Sequence, residues 1–381
     1  PTRDSSLRLV GSEMCIRDSL KAVADAHDGG IVDLSVGTPF DPPPTFVIEA
    51  LAGSGSERGY PPSIGTVAFR SAAANWMQRR LGVRVDPDAE VAACIGTKEF
   101  VVSAPRYLRL RRPERDTVLY PAVSYPSYAM GAQLGGCRAV AVAVDDQWRI
   151  DLSTVSEQDR ARALCLWVNT PGNPAGGLDD LGAVAAWGRA HDVPVLSDEC
   201  YVEFTWAGDT PPGRAHPGRS ILEHGVEGVV AVHSLSKRSN LAGARAGFYA
   251  GDPELVHWLR EIRKHAGNMV PGPMQAAAVV AFDDDAHVDA QRARYRDRLA
   301  YLAAVLTELG HAVELPGGGF YLWVAAADGD AWAMTETFAR KAGMLVAPGE
   351  FYGPAGAGHV RIALVQPEER LELAARRLGV R

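Results

Sequence analysis

Residues 228–252 read GVVAVHSLSKRSNLAGARAGFYAGD, and the reading of this stretch decides the fold. Gly228 to Ser236 is an apolar run of strand length with no polar face, as in a sheet covered on both sides. It ends in two serines, Ser234 and Ser236, followed at once by Lys237. Lysine is scarce in this chain. There are five (Lys21, Lys98, Lys237, Lys264 and Lys341), and arginine carries almost all the basic charge. A lysine kept between hydroxyl residues at a strand end is therefore read as an amine and not as surface charge. Arg245, eight residues on, offers a planar fork of donors that suits phosphate oxygens.

The same texture extends in both directions. TVLYPAV (Thr117 to Val123), ALCLWVNT (Ala163 to Thr170) and VPVLSDECY (Val193 to Tyr201) are further buried-strand runs. LDDLGAVAAWGRAH (Leu178 to His191) and VAFRSAAANWMQRRLG (Val67 to Gly82) have helical spacing. This alternation predicts an α/β fold with a mostly parallel sheet and crossover helices. After about Pro273 the pattern changes to long helical stretches, including the Arg-rich QRARYRDRLAYLAAVLTELG (Gln291 to Gly310). Two strand-like pieces follow, GGGFYLWVAA (Gly317 to Ala326) and HVRIALV (His359 to Val365). The arginines of 291–310 are expected on a solvated face. The expected division is a large domain over 45–273 and a smaller α+β domain built from 29–44 and 274–381.

Residues 1–28 form an atypical N-terminal segment. LVGSEMCIRDS (Leu9 to Ser19) has neither an apolar period nor a signal-peptide core. Met14 to Ser19 back-translates to a transposase end sequence used in preparing DNA libraries. Residues 1–19 are expected to be largely a translated artefact replacing a native arm.

Bulk properties narrow the function. A length of 381 residues suits a large domain plus a smaller one. The net charge of −7 gives no general attraction for nucleic acid or anionic lipid, so an anionic substrate needs local cations. No apolar stretch reaches the roughly 18 residues of a membrane span. Cys15, Cys94, Cys137, Cys165 and Cys200 are odd in number and scattered without metal-ligand spacing, which points to a reducing, cytoplasmic setting and no bound metal.

The remaining chemistry gathers at C-terminal strand ends, where open α/β sheets bind ligands. Asp198, in Asp198-Glu199-Cys200-Tyr201, is a costly residue for a buried strand end unless it meets a cation. A protonated pyridine nitrogen would be one, and Tyr201 would then donate to the ring's phenolic oxygen. Asn173, in the rigid turn NTPGNPAG (Asn169 to Gly176), is placed for the same oxygen. Gly96-Thr97-Lys98 opens a helical stretch after a strand, a place that presents N–H groups to phosphate. Each feature alone also reads as a turn, a helix cap or a stray surface charge. Together they point to one phosphorylated ring joined to an amine, pyridoxal phosphate bound to Lys237 as a Schiff base.

With these residues in place the chain resembles the fold-type I, class I/II aminotransferases, from about Gly29 to its end. The family's Ser-x-Ser-Lys motif falls on Ser234, Ser236 and Lys237, and its following arginine on Arg245. Its Asp-x-x-Tyr pair falls on Asp198 and Tyr201, and the Asn of its Asn-Pro-x-Gly turn on Asn173. The usual threonine of that turn is Ala175 here. The resemblance further implies Arg361 and Gly37 as contacts to the substrate carboxylate, and Tyr60 as a residue reaching the phosphate from a neighbouring subunit. An aromatic should stack on the ring, and PAVSYPSY offers Val123, Tyr125 and Tyr128, of which Tyr125 is favoured. The implied architecture is a seven-stranded, mostly parallel sheet flanked by helices with a smaller α+β domain, assembled as a homodimer with shared active sites.

GIVDLSVGTPFDPPP, IGTKEF, SDECY, RKHAGNMVPGPMQAA and LVAPGEFYGP narrow the resemblance to actinobacterial N-succinyldiaminopimelate aminotransferases of lysine biosynthesis. The implied reaction moves an amino group between N-succinyl-LL-2,6-diaminopimelate and 2-oxoglutarate. Arg263, Lys264 and Lys98 are the candidates for its distal carboxylates. Another class I aminotransferase (aspartate, aromatic or branched-chain) and a pyridoxal phosphate C–S lyase are the alternatives.

Overall fold

A computed structural model describes residues 18–56 and 58–380. The expectation for residues 1–19 therefore falls, apart from 18 and 19, outside the described residues. The strands in chain order are Val32–Asp33 (β1), Val91–Cys94 (β2), Thr117–Pro121 (β3), Arg138–Val142 (β4), Ala163–Asn169 (β5), Val195–Asp198 (β6), Val229–Ser234 (β7), Gly247–Gly251 (β8), Tyr321–Ala325 (β9), Met344–Leu345 (β10), Ala347–Pro348 (β11) and His359–Ala363 (β12).

Seven of them form one sheet in the order β2-β8-β7-β6-β5-β3-β4. All neighbours run parallel except at β8, which is antiparallel to both β2 and β7. Every residue of β5, β6 and β7 is buried, as their unbroken apolar runs require. Successive side chains go to opposite faces. Ala93, Leu166, Val195 and Ala231 join one core with Phe69, Trp76 and Phe282, while Ala92, Trp167, Leu196 and Val230 join the other with Phe100, Tyr128 and Leu259. Both faces are thus closed by helices, and the strand ends are left as the place for ligands.

The small body is built on β11-β12-β9, with β1 paired in parallel to β10. Its core joins Val32 and Leu34 to Leu322, Val324, Val360 and Ile362. Residues 18–25 are helical, and Leu20 and Ala24 pack against Ala339 and Leu345. So this part of the atypical N-terminal segment has a place in the small body.

Two expectations change. The boundary drawn after Pro273 is too early. Helix Gly272–Asp283 puts Ala277, Ala278, Ala281 and Phe282 into the core of the large sheet, because Pro273 starts that helix instead of ending a domain. The passage between bodies lies in helix Ala286–Glu308, whose Leu299, Leu302 and Leu306 belong to the small core. The Arg-rich face of that helix is also not wholly solvated. Arg298 is buried and forks Asp41 at 2.6 and 2.8 Å while also reaching Glu368. A paired guanidinium is buried at lower cost than an unpaired one.

Candidate active site

The residues singled out at the strand ends converge on a cavity of about 590 Å³ between the two bodies. β6 delivers Asp198 and β5 delivers Asn169, which are register partners in the sheet. β7 ends at Ser234, and the short helix Leu235–Arg238 carries Lys237 on into the cavity. The small body contributes Arg361 from β12, Tyr321 from β9, and the segment holding Ser35 to Thr38.

Lys237 donates from Nζ to the Gly37 carbonyl and lies 5.7 Å from the centre of the Phe320 ring. Burial, reinforced by the charges of Arg361 and Lys98, pushes its amine down to about 8, against partial opposition from Cys200 and Asp198. This brings a nucleophilic amine within reach of neutral pH. Asp198 is buried, which raises its carboxyl, while Tyr128 and Cys200 hold it down. Tyr128 donates to Oδ2 at 3.0 Å, and the Cys200 N–H donates to Oδ1 at 3.2 Å. Tyr128 is itself fixed by stacking on Trp167, with centroids 5.2 Å apart.

Arg245 sits in the left-handed region at φ 51 and reaches across to the loop before helix Thr97–Arg111. It donates to the Ala242 carbonyl at 2.9 Å. No side chain caps that helix, which leaves its first N–H groups open to an anion. Thr97, Ser234, Ser236 and Arg245 line the same wall. This is a set of donors without a carboxylate among them, the chemistry a phosphate needs.

Asn173 Oδ1 accepts from Arg361 Nη1 at 2.9 Å, and its N–H donates to Asn169 Oδ1 at 2.8 Å. The Asn169 side chain in turn donates to the Asp198 carbonyl at 2.8 Å. Gly176, φ +75, closes this turn where a Cβ would meet Pro316 at 2.5 Å. Ala175, in place of the usual threonine, packs with Val123 and Trp323.

Tyr125 lines the cavity, with the Lys98 ammonium 5.5 Å from its ring centre. Val123 points into an aromatic cluster with Trp323 and Tyr352, and Tyr128 is occupied with Asp198, so neither is free to face a ring. Gly96 does not line the cavity but underlies Arg245. Tyr60 is 96% exposed and lies outside its own chain's cavity. Of the distal-carboxylate candidates only Lys98 lines the site. Arg263 is buried on Glu99 at 2.6 Å, and Lys264 pairs with Glu261 outside it, because both belong to a helix on the far side of Thr97–Arg111.

Several lining residues carried no sequence signal of their own. Tyr321, Tyr352, Ser35, Asn169 and Tyr128 all stood in quoted stretches, with other residues or none given the roles. Tyr201, expected over a phenolic oxygen, lines the cavity and shares a 2.8 Å hydrogen bond with the Tyr321 hydroxyl.

Residues 30–378 match the family model described as aminotransferase class I and II. The chain belongs to this family. As an aminotransferase it is 44% identical to a probable aminotransferase of Mycobacterium tuberculosis, over 94% of this chain and 82% of that protein. It is 42% identical to the 4-dedimethylamino-4-oxo-anhydrotetracycline transaminase OxyQ of Streptomyces rimosus, over 94% and 96%. Among solved structures it resembles an aminotransferase from Neisseria meningitidis (TM-score 0.86, 30% identity, 96% of each chain). It also resembles a probable N-succinyldiaminopimelate aminotransferase from Thermus thermophilus (TM-score 0.82, 33% identity, 96% and 98%).

The aminotransferase uses pyridoxal phosphate and acts on an amino acid and a 2-oxo acid. Its residues fit that cofactor: an all-donor wall for the phosphate, a low-pKa amine, and a buried carboxylate for a ring cation. No helix among the described residues is long and apolar enough to cross a membrane.

Proposed function

We propose that this aminotransferase moves an amino group between N-succinyl-LL-2,6-diaminopimelate and 2-oxoglutarate. The observation that carries the reading is that Lys237, Asp198, Arg361 and Lys98 line one cavity. An amine, a carboxylate for a pyridinium, an anchor for an α-carboxylate and a further cation for a distal one are the set this substrate requires. The likeness to the Thermus protein and to LL-diaminopimelate aminotransferases at 31–32% identity supports it.

Bound in the cavity, pyridoxal phosphate supplies an electron sink for the substrate α-carbon and carries the amino group between the two substrates. Lys237, largely desolvated, takes the proton from that carbon and returns it as general base and acid. Asp198 would accept the ring nitrogen's N–H, and the bonds it takes from Tyr128 and Cys200 aim it and favour its ionised form against the effect of burial. Arg245, Ser234, Ser236, Thr97 and the helix N-terminus would hold the phosphate. Asn173 and Tyr201 would hold the phenolic oxygen, Tyr125 would cover the ring, and Arg361 beside Gly37 would take the α-carboxylate bidentately. The active unit is a homodimer, with Tyr60 of each copy extending to the other's phosphate site. The unpaired thiols Cys94, Cys137, Cys165 and Cys200 suit a reducing cytoplasm.

A half-reaction with N-succinyldiaminopimelate, followed as loss of the cofactor's visible band, tests the substrate. Conversion of aspartate but not of this donor rejects the substrate and keeps the activity. The OxyQ likeness favours a second reading, amination of a polycyclic ketone, which the same assay with such an acceptor distinguishes.

A further inference from the structure

Arg361 is a buried charge with no carboxylate in ion-pair contact among the described residues. It is 5% exposed, and its hydrogen-bond partners are neutral: Asn173 Oδ1 at 2.9 Å and the Ser35 carbonyl at 2.7 Å. The other buried arginines behave differently. Arg70, Arg80, Arg238, Arg263 and Arg298 each meet a carboxylate at 2.6–2.8 Å. A desolvated cation without a counter-ion is costly, so something else must offset the cost.

Two tyrosine rings do so. The Arg361 guanidinium carbon lies 4.3 Å from the centre of the Tyr321 ring and 4.8 Å from that of Tyr352. Ring faces carry negative potential and attract a guanidinium without neutralising its charge.

Both rings are held firmly. The Tyr321 hydroxyl bonds Tyr201 at 2.8 Å, and Gly37 lies against it so closely that a Cβ would come within 2.2 Å of that oxygen. Tyr352 meets Trp323 edge-on at 6.1 Å. Its carbonyl accepts from the Ser124 N–H at 2.9 Å, which ties it to the loop after β3 in the large body. The next residue, Gly353, approaches that loop so tightly that a Cβ would meet the Ala122 carbonyl at 2.1 Å.

We propose that Tyr321 and Tyr352 are positioning residues of a carboxylate site. With both rings against its guanidinium, Arg361 stays dry and charged without a protein counter-ion, which reserves its charge for a ligand carboxylate. The inference rests on reading Arg361 as the α-carboxylate anchor, and it adds what gives that anchor its affinity. A carboxylate on the protein at either tyrosine position would compensate the arginine and compete with the ligand, whereas a ring face does not.

The test uses 3-phenylpropanoate, a carboxylate without an amino group, titrated calorimetrically into the cofactor-free and the loaded protein. Tyr352→Leu keeps apolar volume and removes the ring face, and should weaken binding about 10-fold, the scale of one desolvated cation–π contact. Tyr352→Phe restores the face and should recover most of the affinity. In turnover, Tyr352→Leu should cut kcat/KM for an α-amino acid about 10-fold more than for benzylamine, which has no carboxylate. That ratio is independent of how much of the variant is folded. Unchanged 3-phenylpropanoate binding in Tyr352→Leu, or equal penalties on the two amines, overturns the proposal. The calorimetric arm reads the clamp without turnover, so absent transamination in the unmutated protein counts against the proposed activity alone.

Discussion

Arg245 lies directly over Gly96: a Cβ on that glycine would come within 2.1 Å of Nη2. Gly96 also has φ +71, a conformation other residues rarely adopt. Gly96→Ala should therefore displace the guanidinium from the phosphate wall without touching a donor. Pyridoxal phosphate affinity is expected to fall 10- to 100-fold, read by titrating the cofactor into apo-protein. Affinity within a factor of two of the original would show that Arg245 does not contribute to that wall.

Lys237→Ala should abolish both the cofactor's visible absorbance shift on binding and transamination. A variant retaining turnover would assign the amine elsewhere.

The amine of Lys237 stands near 8, down from 10.5 in an ordinary lysine. About a tenth of it is therefore neutral at pH 7. The rate at which apo-protein captures the aldehyde should rise roughly tenfold per pH unit below 8 and flatten above it, followed by stopped-flow absorbance. The unfolded chain holds this proton more tightly, so it carries more protons between about pH 8 and 10.5. This group's contribution to apo-protein stability should accordingly grow as pH climbs through that window. A capture rate still rising above pH 9 would contradict the lowered value.

Tyr128→Phe removes the 3.0 Å donor from Asp198 and leaves the stacking on Trp167 in place. A hydrogen bond to a charged group contributes about 1.5–3 kcal/mol, so kcat should drop at least about 10-fold. Losing the donor disfavours the ionised carboxylate further, so the acid limb of the kcat profile should move to higher pH. A profile unchanged in both height and limb would make Tyr128 a packing residue only.

Arg298→Met breaks the fork to Asp41 and leaves that carboxylate with the neutral Gln291 amide as its remaining side-chain donor. The expected loss is about 3–5 kcal/mol, read from urea denaturation. Asp41 lies in the segment that crosses from the small body towards the cavity, so kcat should also fall. A loss under about 1 kcal/mol would place the pair among weakly contributing surface contacts.

Much of this molecule was legible before its structure. Unbroken apolar runs announced β5, β6 and β7, because a strand covered on both faces has no polar side to show. That Lys237, Asp198 and Asn173 meet in one cavity was legible because strand ends are where costly polar residues gather. What escaped depends on contacts between distant segments. The bond from Tyr128 to Asp198 spans 70 positions, and that from Arg298 to Asp41 spans 257. Neither leaves a local pattern. The body boundary escaped because Pro273 reads equally well as a stop and as a helix start. Arg263 and Lys264 looked available as loose cations, but their helix lies behind another one. Helix Val67–Trp76 was read through to Gly82, and its last turn is instead the wider coil Met77–Leu81.

Helix Ala286–Glu308 has 23 residues, roughly 34 Å of unbroken rod. Just before its start Arg79 grips Asp285, and one turn in Arg80 grips Asp289, both fastening it to the seven-stranded body. Its other half is core to the sheet that carries Arg361. One continuous rod thus joins the body that carries Lys237 to the body that carries Arg361. A proline halfway along should weaken that join and lower turnover, although neither of those two residues had been altered.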